Sequence, residues 1–209
     1  MDIVKVPPQD LARFSCDVYV DSPIYHTANK LIRWQQWAKL QALLDMWPEA
    51  SIETCLDLGC GNGVMLPTLS KMCKTVTAVD LYPEAAERLV LTYGLNNVTV
   101  TSHIPCEQQR YELIWMSSFV EHIKNLESIM ADISSVLKPE GYILWLSPSE
   151  NWMYQLGRWI CGYEKPNDHY YTAWEIYEVL DIWFYVEKMR AWPSVLMPWY
   201  IMGMFLKNP

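Results

Sequence analysis

Apolar and polar positions alternate between two periods along this chain. Residues 24–47, "IYHTANKLIRWQQWAKLQALLDMW", carry no glycine or proline and set Leu31, Trp34, Ala38 and Ala42 at helical intervals, which predicts one amphipathic helix closed by Pro48. A short apolar run, "ETCLDLG", then reads as a first strand, and "VMLPTLSKMC" resumes a helical pattern. "TVTAVDL", "NVTVTS", "YELIWMSS" and "GYILWLSPS" read as further strands. Between them, "PEAAERLVLTYG" has proline at its start, acids in its first turn and Gly94 at its end, the marks of a helix. "NLESIMADISSVLK" and "TAWEIYEVLDIW" predict two more, the second with Thr172 as N-cap. The tail, "YVEKMRAW" and "YIMGMFLK", predicts two strands joined across Pro193 and Pro198. Strands alternating with helices predict an α/β fold with a mainly parallel sheet covered on both faces.

Length suits one domain with a single large core. The net charge of −8 and the absence of any Lys/Arg run exclude nucleic acid as the expected partner. The six cysteines, Cys16, Cys55, Cys60, Cys73, Cys106 and Cys161, form no C-x-x-C pair and have no ligand-like histidine companions, so no metal is expected. The start, "MDIVKVPPQD", lacks a secretory pattern, and the expectation is a cytoplasmic protein with reduced thiols. The uncharged stretch 191–206 is too short and too broken by proline and glycine to span a bilayer, although peripheral lipid contact stays open. Composition stands out in one respect: 11 Trp and 13 Tyr accompany only 4 Phe. Such rings suit a bulky core or the walls of a pocket.

The chemistry centres on "LDLGCGNG". Gly59, Gly61 and Gly63 fall within five positions between a strand and a helix. A dinucleotide fingerprint would need its third glycine where Val64 stands, and a P-loop would need Gly-Lys-Ser/Thr. Asp80 ends the next strand, where an acid can accept both hydroxyls of a ribose. Asp57 precedes the turn, where a carboxylate repels phosphate but attracts an ammonium, directly or through water. A ligand with a ribose at one end and a cationic amino acid at the other fits both; S-adenosylmethionine is such a ligand.

"LDLGCGNG", "VTAVD", "YELIWMSSFVEHI" and "VLKPEGYILWLSP", in this order, resemble the class I S-adenosylmethionine-dependent methyltransferases of the small-molecule and quinone type, over roughly residues 50–190. The resemblance implies a Rossmann-like three-layer sandwich with a seven-stranded sheet in the order 3-2-1-4-5-7-6 and strand 7 antiparallel. Within a single domain, 1–209, it implies an N-terminal helical lid (1–50), a cofactor-binding half (51–150) and a substrate-covering insert with the last helix and a C-terminal hairpin (151–209). Gly59, Cys60 and Gly61 would line the methionine part of the cofactor, Asp80 would hold the ribose with Leu81 on the adenine, and Met116 and Ser117 would meet the amino end. Many relatives place an acid after strand three for the adenine amino group; here the segment reads "TSHIPCEQQ", which leaves Ser102, His103 or the backbone for that contact.

Methyl transfer from a sulfonium is an in-line displacement, and an alcohol acceptor gains from a general base. His122 in "FVEHI" and His169 in "DHYY" are the two candidates, each with a structural alternative as a cap or surface residue. Tyr25 and His26 before the long helix, with Trp152 and Tyr170 in the insert "ENWMYQLGRWICGYEKPNDHYY", are candidate acceptor contacts, since long loops in compact domains usually serve function. The expected activity is methyl transfer to a small apolar, aromatic or lipid-linked acceptor, releasing S-adenosylhomocysteine, by a monomer or homodimer. A non-catalytic binding or regulatory subunit and a protein methyltransferase are the alternatives.

Overall fold

The computed structural model describes residues 1–14, 23–48, 51–105, 111–162 and 166–208. Cys16, Cys106 and Tyr163 of the sequence reading lie outside them. The chain runs α1 (Pro8–Phe14), α2 (Pro23–His26), α3 (Lys30–Leu44), β1 (Ile52–Leu58), α4 (Leu66–Met72), β2 (Cys73–Val79), α5 (Glu84–Tyr93), β3 (Val98–Thr101) and β4 (Tyr111–Ser117). A 3-10 turn (Val120–His122), α6 (Leu126–Val136), β5 (Leu137–Pro148), α7 (Trp152–Ile160), α8 (Ala173–Trp183), β6 (Phe184–Pro193) and β7 (Pro198–Lys207) complete it.

The strands form one sheet in the order β3-β2-β1-β4-β5-β7-β6. β1 to β5 pair in parallel, and β7 runs antiparallel to both β5 and β6. The fold expected from the sequence is the fold observed. Period-two alternation divides each central strand between two cores. Leu113 and Trp115 of β4 and Leu144 and Leu146 of β5 join Leu40 and Leu43 of α3 and Leu66 and Leu69 of α4 on one face. Ile114 and Met116, with Ile143 and Trp145, pack against Met130 and Ile133 of α6 and Ile176 and Leu180 of α8 on the other.

Local signals explain most boundaries. Gly94 ends α5 in the left-handed conformation at φ 61°, and Thr172 with Glu175 forms a capping box that starts α8. Two expectations need correction. The single helix over 24–47 is two helices, because Asn29 turns its side chain onto the amides of Leu31 and Ile32 and starts α3 afresh. Of the positions that suggested its apolar face, Leu31 and Trp34 face solvent; the buried stripe runs through Ile32, Gln36, Trp37, Lys39, Leu40 and Leu43. The insert after β5 is also no plain loop, since Asn151 caps the nine-residue α7 by accepting from the Tyr154 amide.

Candidate active site

The carboxyl ends of β1, β2, β4 and β5 gather the chemistry. After β1 the chain turns through Gly59, Gly61 and Gly63 at φ 75°, 52° and 74°, a region costly for other residues. The amides of Gly59 and Cys60 both donate to the Val79 carbonyl, at 2.8 and 3.0 Å, and lock the turn to β2. The Gly61 amide donates to Asp80 Oδ2 at 2.8 Å, while Asp80 Oδ1 accepts from the Tyr82 amide at 3.1 Å. The acid expected to hold a ribose is therefore fixed to the glycine turn. A side chain on Gly59 would meet not open space but the Phe119 ring, with Cδ2 only 2.3 Å from an added Cβ. The first glycine is thus required by the segment after β4. Cys60 is buried, Leu81 is 79% exposed and Ser102 lies exposed.

Asp57 is buried at the end of β1, and its Oδ2 has no hydrogen-bond partner. Burial, reinforced by the charge of Asp80, pushes its carboxyl up to about 8. A cationic side chain is buried at the same end of the sheet. Lys39, 3% exposed, donates to Ser118 Oγ at 3.3 Å and lies 4.3 Å from the centre of the Tyr200 ring. Among the described residues no carboxylate forms an ion pair with it. Ser118 follows Met116, wholly buried, and Ser117, half-buried, and holds a positive φ of 53° with its amide on the Leu146 carbonyl at 2.8 Å. A strained non-glycine residue in such a place marks a position that the surrounding structure dictates.

The two candidate histidines form one centre. His122 Nδ1 lies 2.8 Å from Asp168 Oδ2, and His169 Nδ1 lies 2.8 Å from Glu150 Oε1. Their rings meet edge to face, 4.7 Å apart at 87°. Partial burial raises the Asp168 carboxyl, but the charge of His122 and the bond to it outweigh that and hold it below its ordinary value. Glu150 is buried at a positive φ of 53° and also takes Arg158 Nη2 at 2.9 Å. Glu121 completes the group. Its Oε2 accepts from Ser147 Oγ at 2.8 Å, its backbone carbonyl accepts from the Tyr170 amide at 2.9 Å, and its Oε1 is buried without a partner. Burial pushes the Glu121 carboxyl up, against the opposing pull of both histidines.

The four candidate acceptor contacts are placed differently from one another. Tyr25 is buried, edge-on to Trp37 at 5.4 Å, and His26 is half-buried with Nδ1 unpartnered. Trp152 projects into solvent from α7, and the half-exposed Tyr170 lies beneath Lys124 Nζ at 5.3 Å. α7 turns Tyr154 and Arg158 inward, with Tyr154 Oη 3.0 Å from Tyr200 Oη. Lys39, Glu121 and Glu150 escaped the sequence reading. The acid–histidine dipeptide at 121–122 was the available signal for Glu121; nothing local marks Lys39 or Glu150, whose partners are far away in sequence.

A family model described as a methyltransferase domain matches residues 29–193. The ubiquinone biosynthesis O-methyltransferase of Serratia proteamaculans is 27% identical over 106 residues, covering 47% of this chain and 44% of that protein. The chain spans about half the length of the curated relatives it matches. Among solved structures, the N-methyltransferase NodS from Bradyrhizobium japonicum WM9, in complex with S-adenosyl-L-homocysteine, superposes with a TM-score of 0.65 at 15% identity, over 96% of this chain and 98% of that one. A SAM-dependent methyltransferase from Aquifex aeolicus gives 0.62 at 21% identity, over 97% and 98%. The chain belongs to the methyltransferase-domain family and has the class I S-adenosylmethionine-dependent architecture.

Proposed function

We propose that this domain transfers the methyl group of S-adenosylmethionine to a small apolar, aromatic or lipid-linked acceptor and releases S-adenosylhomocysteine. The observation that carries the reading is the pair of buried ionisable side chains, Asp57 and Lys39, each without an ionic partner at the end of the sheet where the glycine turn lies. A zwitterionic amino acid answers both, its ammonium toward Asp57 and its carboxylate toward Lys39. Asp80 would take the ribose hydroxyls, with Gly59, Cys60 and Gly61 along the methionine chain and Met116 and Ser117 at its amino end. The exposed Leu81 would cover the adenine, with Ser102 of the exposed β3 exit toward its edge. When bound, the sulfonium supplies an electrophilic methyl.

This chain's residues then hold the acceptor in line and manage its proton. With Nδ1 of each imidazole engaged by a carboxylate, Nε2 of His122 or His169 is left to act on an acceptor hydroxyl. His169, the more enclosed of the two and backed by a fully buried Glu150, is the better placed base. Residues 1–50 cover the cofactor side in this reading, and 151–209, with Tyr25, His26, Trp152 and Tyr170 at its margins, supply the acceptor side. The named activity of the curated relatives supports a small-molecule acceptor.

A specific observation favours a lipid-borne acceptor within this class. Trp152, Leu156, Trp159 and Ile160 make one exposed stripe on α7, and Val195, Leu196 and Met197 are exposed in the turn before β7. Asn151 Nδ2 donates to the Pro198 carbonyl at 2.7 Å and ties the two elements together. Among the described residues no helix is long and apolar enough to cross a membrane, and the contact in this reading is a peripheral one. Calorimetry with S-adenosylmethionine, followed by an S-adenosylhomocysteine release assay against fractionated metabolite and lipid extracts, tests the proposal. Absence of cofactor binding would sink it, and binding with no release from any fraction would favour the non-catalytic subunit.

A further inference from the structure

We propose that Glu121, His122 and His169 hold a divalent first-row cation, Zn2+ in preference to Mg2+, at which the acceptor oxygen is ligated; the last clause rests on the methyl-transfer reading. One donor atom from each of the three residues lies within 4.8 Å of the other two. Tetrahedral ligands 2.0–2.1 Å from one ion stand about 3.4 Å apart, so the group must close by about 1.4 Å at its widest, a movement that side-chain rotation can supply.

Three independent features point to an ion. Glu121 Oε1 is fully buried and has no partner, although Oε2 is held by Ser147. An unpaired carboxylate oxygen in that environment is costly unless a cation meets it. Each histidine gives its Nδ1 to a carboxylate, His122 to Asp168 and His169 to Glu150, at 2.8 Å in both cases. Metal-binding imidazoles are oriented in this way, with the other ring nitrogen left for the ion. Charge gives the third feature. Three carboxylates, Glu121, Glu150 and Asp168, gather here with one guanidinium, Arg158, so acidic groups outnumber the fixed cation in a setting that a metal cation complements. Two nitrogens and one oxygen form the ligand set of open-sided zinc sites, with a position left for a substrate oxygen, whereas Mg2+ prefers oxygen alone.

With both Nε2 atoms on the ion neither histidine is free to act as the base, and the ligated acceptor hydroxyl would instead lose its proton to solvent at neutral pH. The freed oxygen lone pair forms the bond to the methyl carbon as the carbon–sulfur bond breaks. Sulfur keeps that electron pair as a neutral thioether.

The test uses the full chain after EDTA treatment, titrated with ZnCl2 in a calorimeter and with CoCl2 by visible absorption. A single saturable equivalent is expected, with the strong visible bands of a Co2+ site of low coordination number. Glu121→Gln and His169→Ala should abolish both signals, and Asp168→Asn or Glu150→Gln should weaken Zn2+ binding about 10- to 100-fold. Glu187→Gln, a change at an exposed carboxylate of β6, should alter neither, and S-adenosylhomocysteine calorimetry checks that each variant is folded. No saturable equivalent, equal binding by Glu121→Gln and His169→Ala, or MgCl2 bound more tightly than ZnCl2 would overturn the inference. A bound ion without methyl release from any acceptor would sink the methyl-transfer reading and keep the site. Undiminished methyl release from EDTA-treated protein that binds no Co2+ would do the reverse.

Discussion

Asp57 lies buried beside Asp80, and the charge of Asp80 adds to burial in pushing the Asp57 carboxyl up to about 8. The folded value is far above that of an unfolded aspartate, so protonated Asp57 favours the ligand-free fold. That contribution is complete below the unfolded value and is lost as pH rises through about 8. An ammonium partner reverses the preference, because it selects the carboxylate. Below about 8 cofactor binding must therefore expel a proton from Asp57. Well above it, the ligand's own amino group, with an α-amino value of about 7.7–8.0, loses its charge. Affinity should peak near pH 8 and fall by up to about tenfold per unit on the acid side. Calorimetry in buffers of different ionisation enthalpy should register proton release at pH 6.5. Asp57→Asn should remove that release, and a profile unchanged by this substitution would disprove the ammonium assignment.

Asp80→Ala should weaken S-adenosylmethionine binding by at least about tenfold while the sheet persists. Its carboxylate now anchors the Gly61 and Tyr82 amides, and the ribose hydroxyls would join or replace those bonds. Hydrogen bonds to a charged group are worth about 1.5–3 kcal/mol each. Affinity within a factor of about two of the parent, the scale of experimental scatter rather than of one lost bond, would remove the ribose assignment.

The sequence made the sheet legible because each central strand is apolar and each turn carries its own signal, as Gly94 and Thr172 show. The cofactor end was legible for the same reason: the glycine turn and Asp80 are local patterns tied to strand ends. Lys39 and Glu150 were not, because their meaning comes from partners across the fold. Lys39 reaches Ser118, and Glu150 reaches His169. The face of α3 was misread since burial there follows Gln36 and Lys39, polar residues that a hydrophobic pattern assigns to solvent. The histidines were found one at a time, and only their edge-to-face contact makes them one centre.

Gly59→Ala should lower stability more than a left-handed alanine alone explains. At φ 75° the backbone conformation costs about 1–2 kcal/mol for a side-chain-bearing residue, and the new methyl would also meet Phe119 at 2.3 Å. The steric part depends on that ring. Because the Phe119 Cβ itself would stand 2.6 Å from the new methyl, the relieving background is Phe119→Gly; there, although a cavity lowers its stability, Gly59→Ala should cost about the backbone strain only. Denaturant midpoints for the four proteins of this cycle measure the coupling. Strict additivity would show that Phe119 moves aside freely and that Gly59 serves the turn alone.

The last prediction concerns the apolar stripe of α7. Trp152, Leu156, Trp159 and Ile160 recur at helical spacing, yet they face outward, while Tyr154 and Arg158 fasten the helix to Tyr200 and Glu150. A helix docked by its polar side and presenting its apolar one gains nothing from that stripe in the folded monomer. Burying the two tryptophans and Leu196, 74%, 75% and 90% exposed, would contribute roughly 25 cal/mol per Å² of covered apolar surface. α7 has no acidic residue and the Ser194–Met197 turn is uncharged, so a bilayer surface meets no repulsion here despite the net charge of −8. Phosphatidylcholine vesicles should therefore sediment the parent chain. The double variant Trp152→Ser/Trp159→Ser should stay in the supernatant, with cofactor affinity intact because neither ring touches the glycine turn. If a lipid carries the acceptor, the variant should also lose turnover on vesicle-borne substrate while keeping it on a short soluble analogue. Sedimentation of both proteins alike would dismiss the membrane contact, and a parent that stays soluble but elutes as a dimer would assign the stripe to a second copy of the chain.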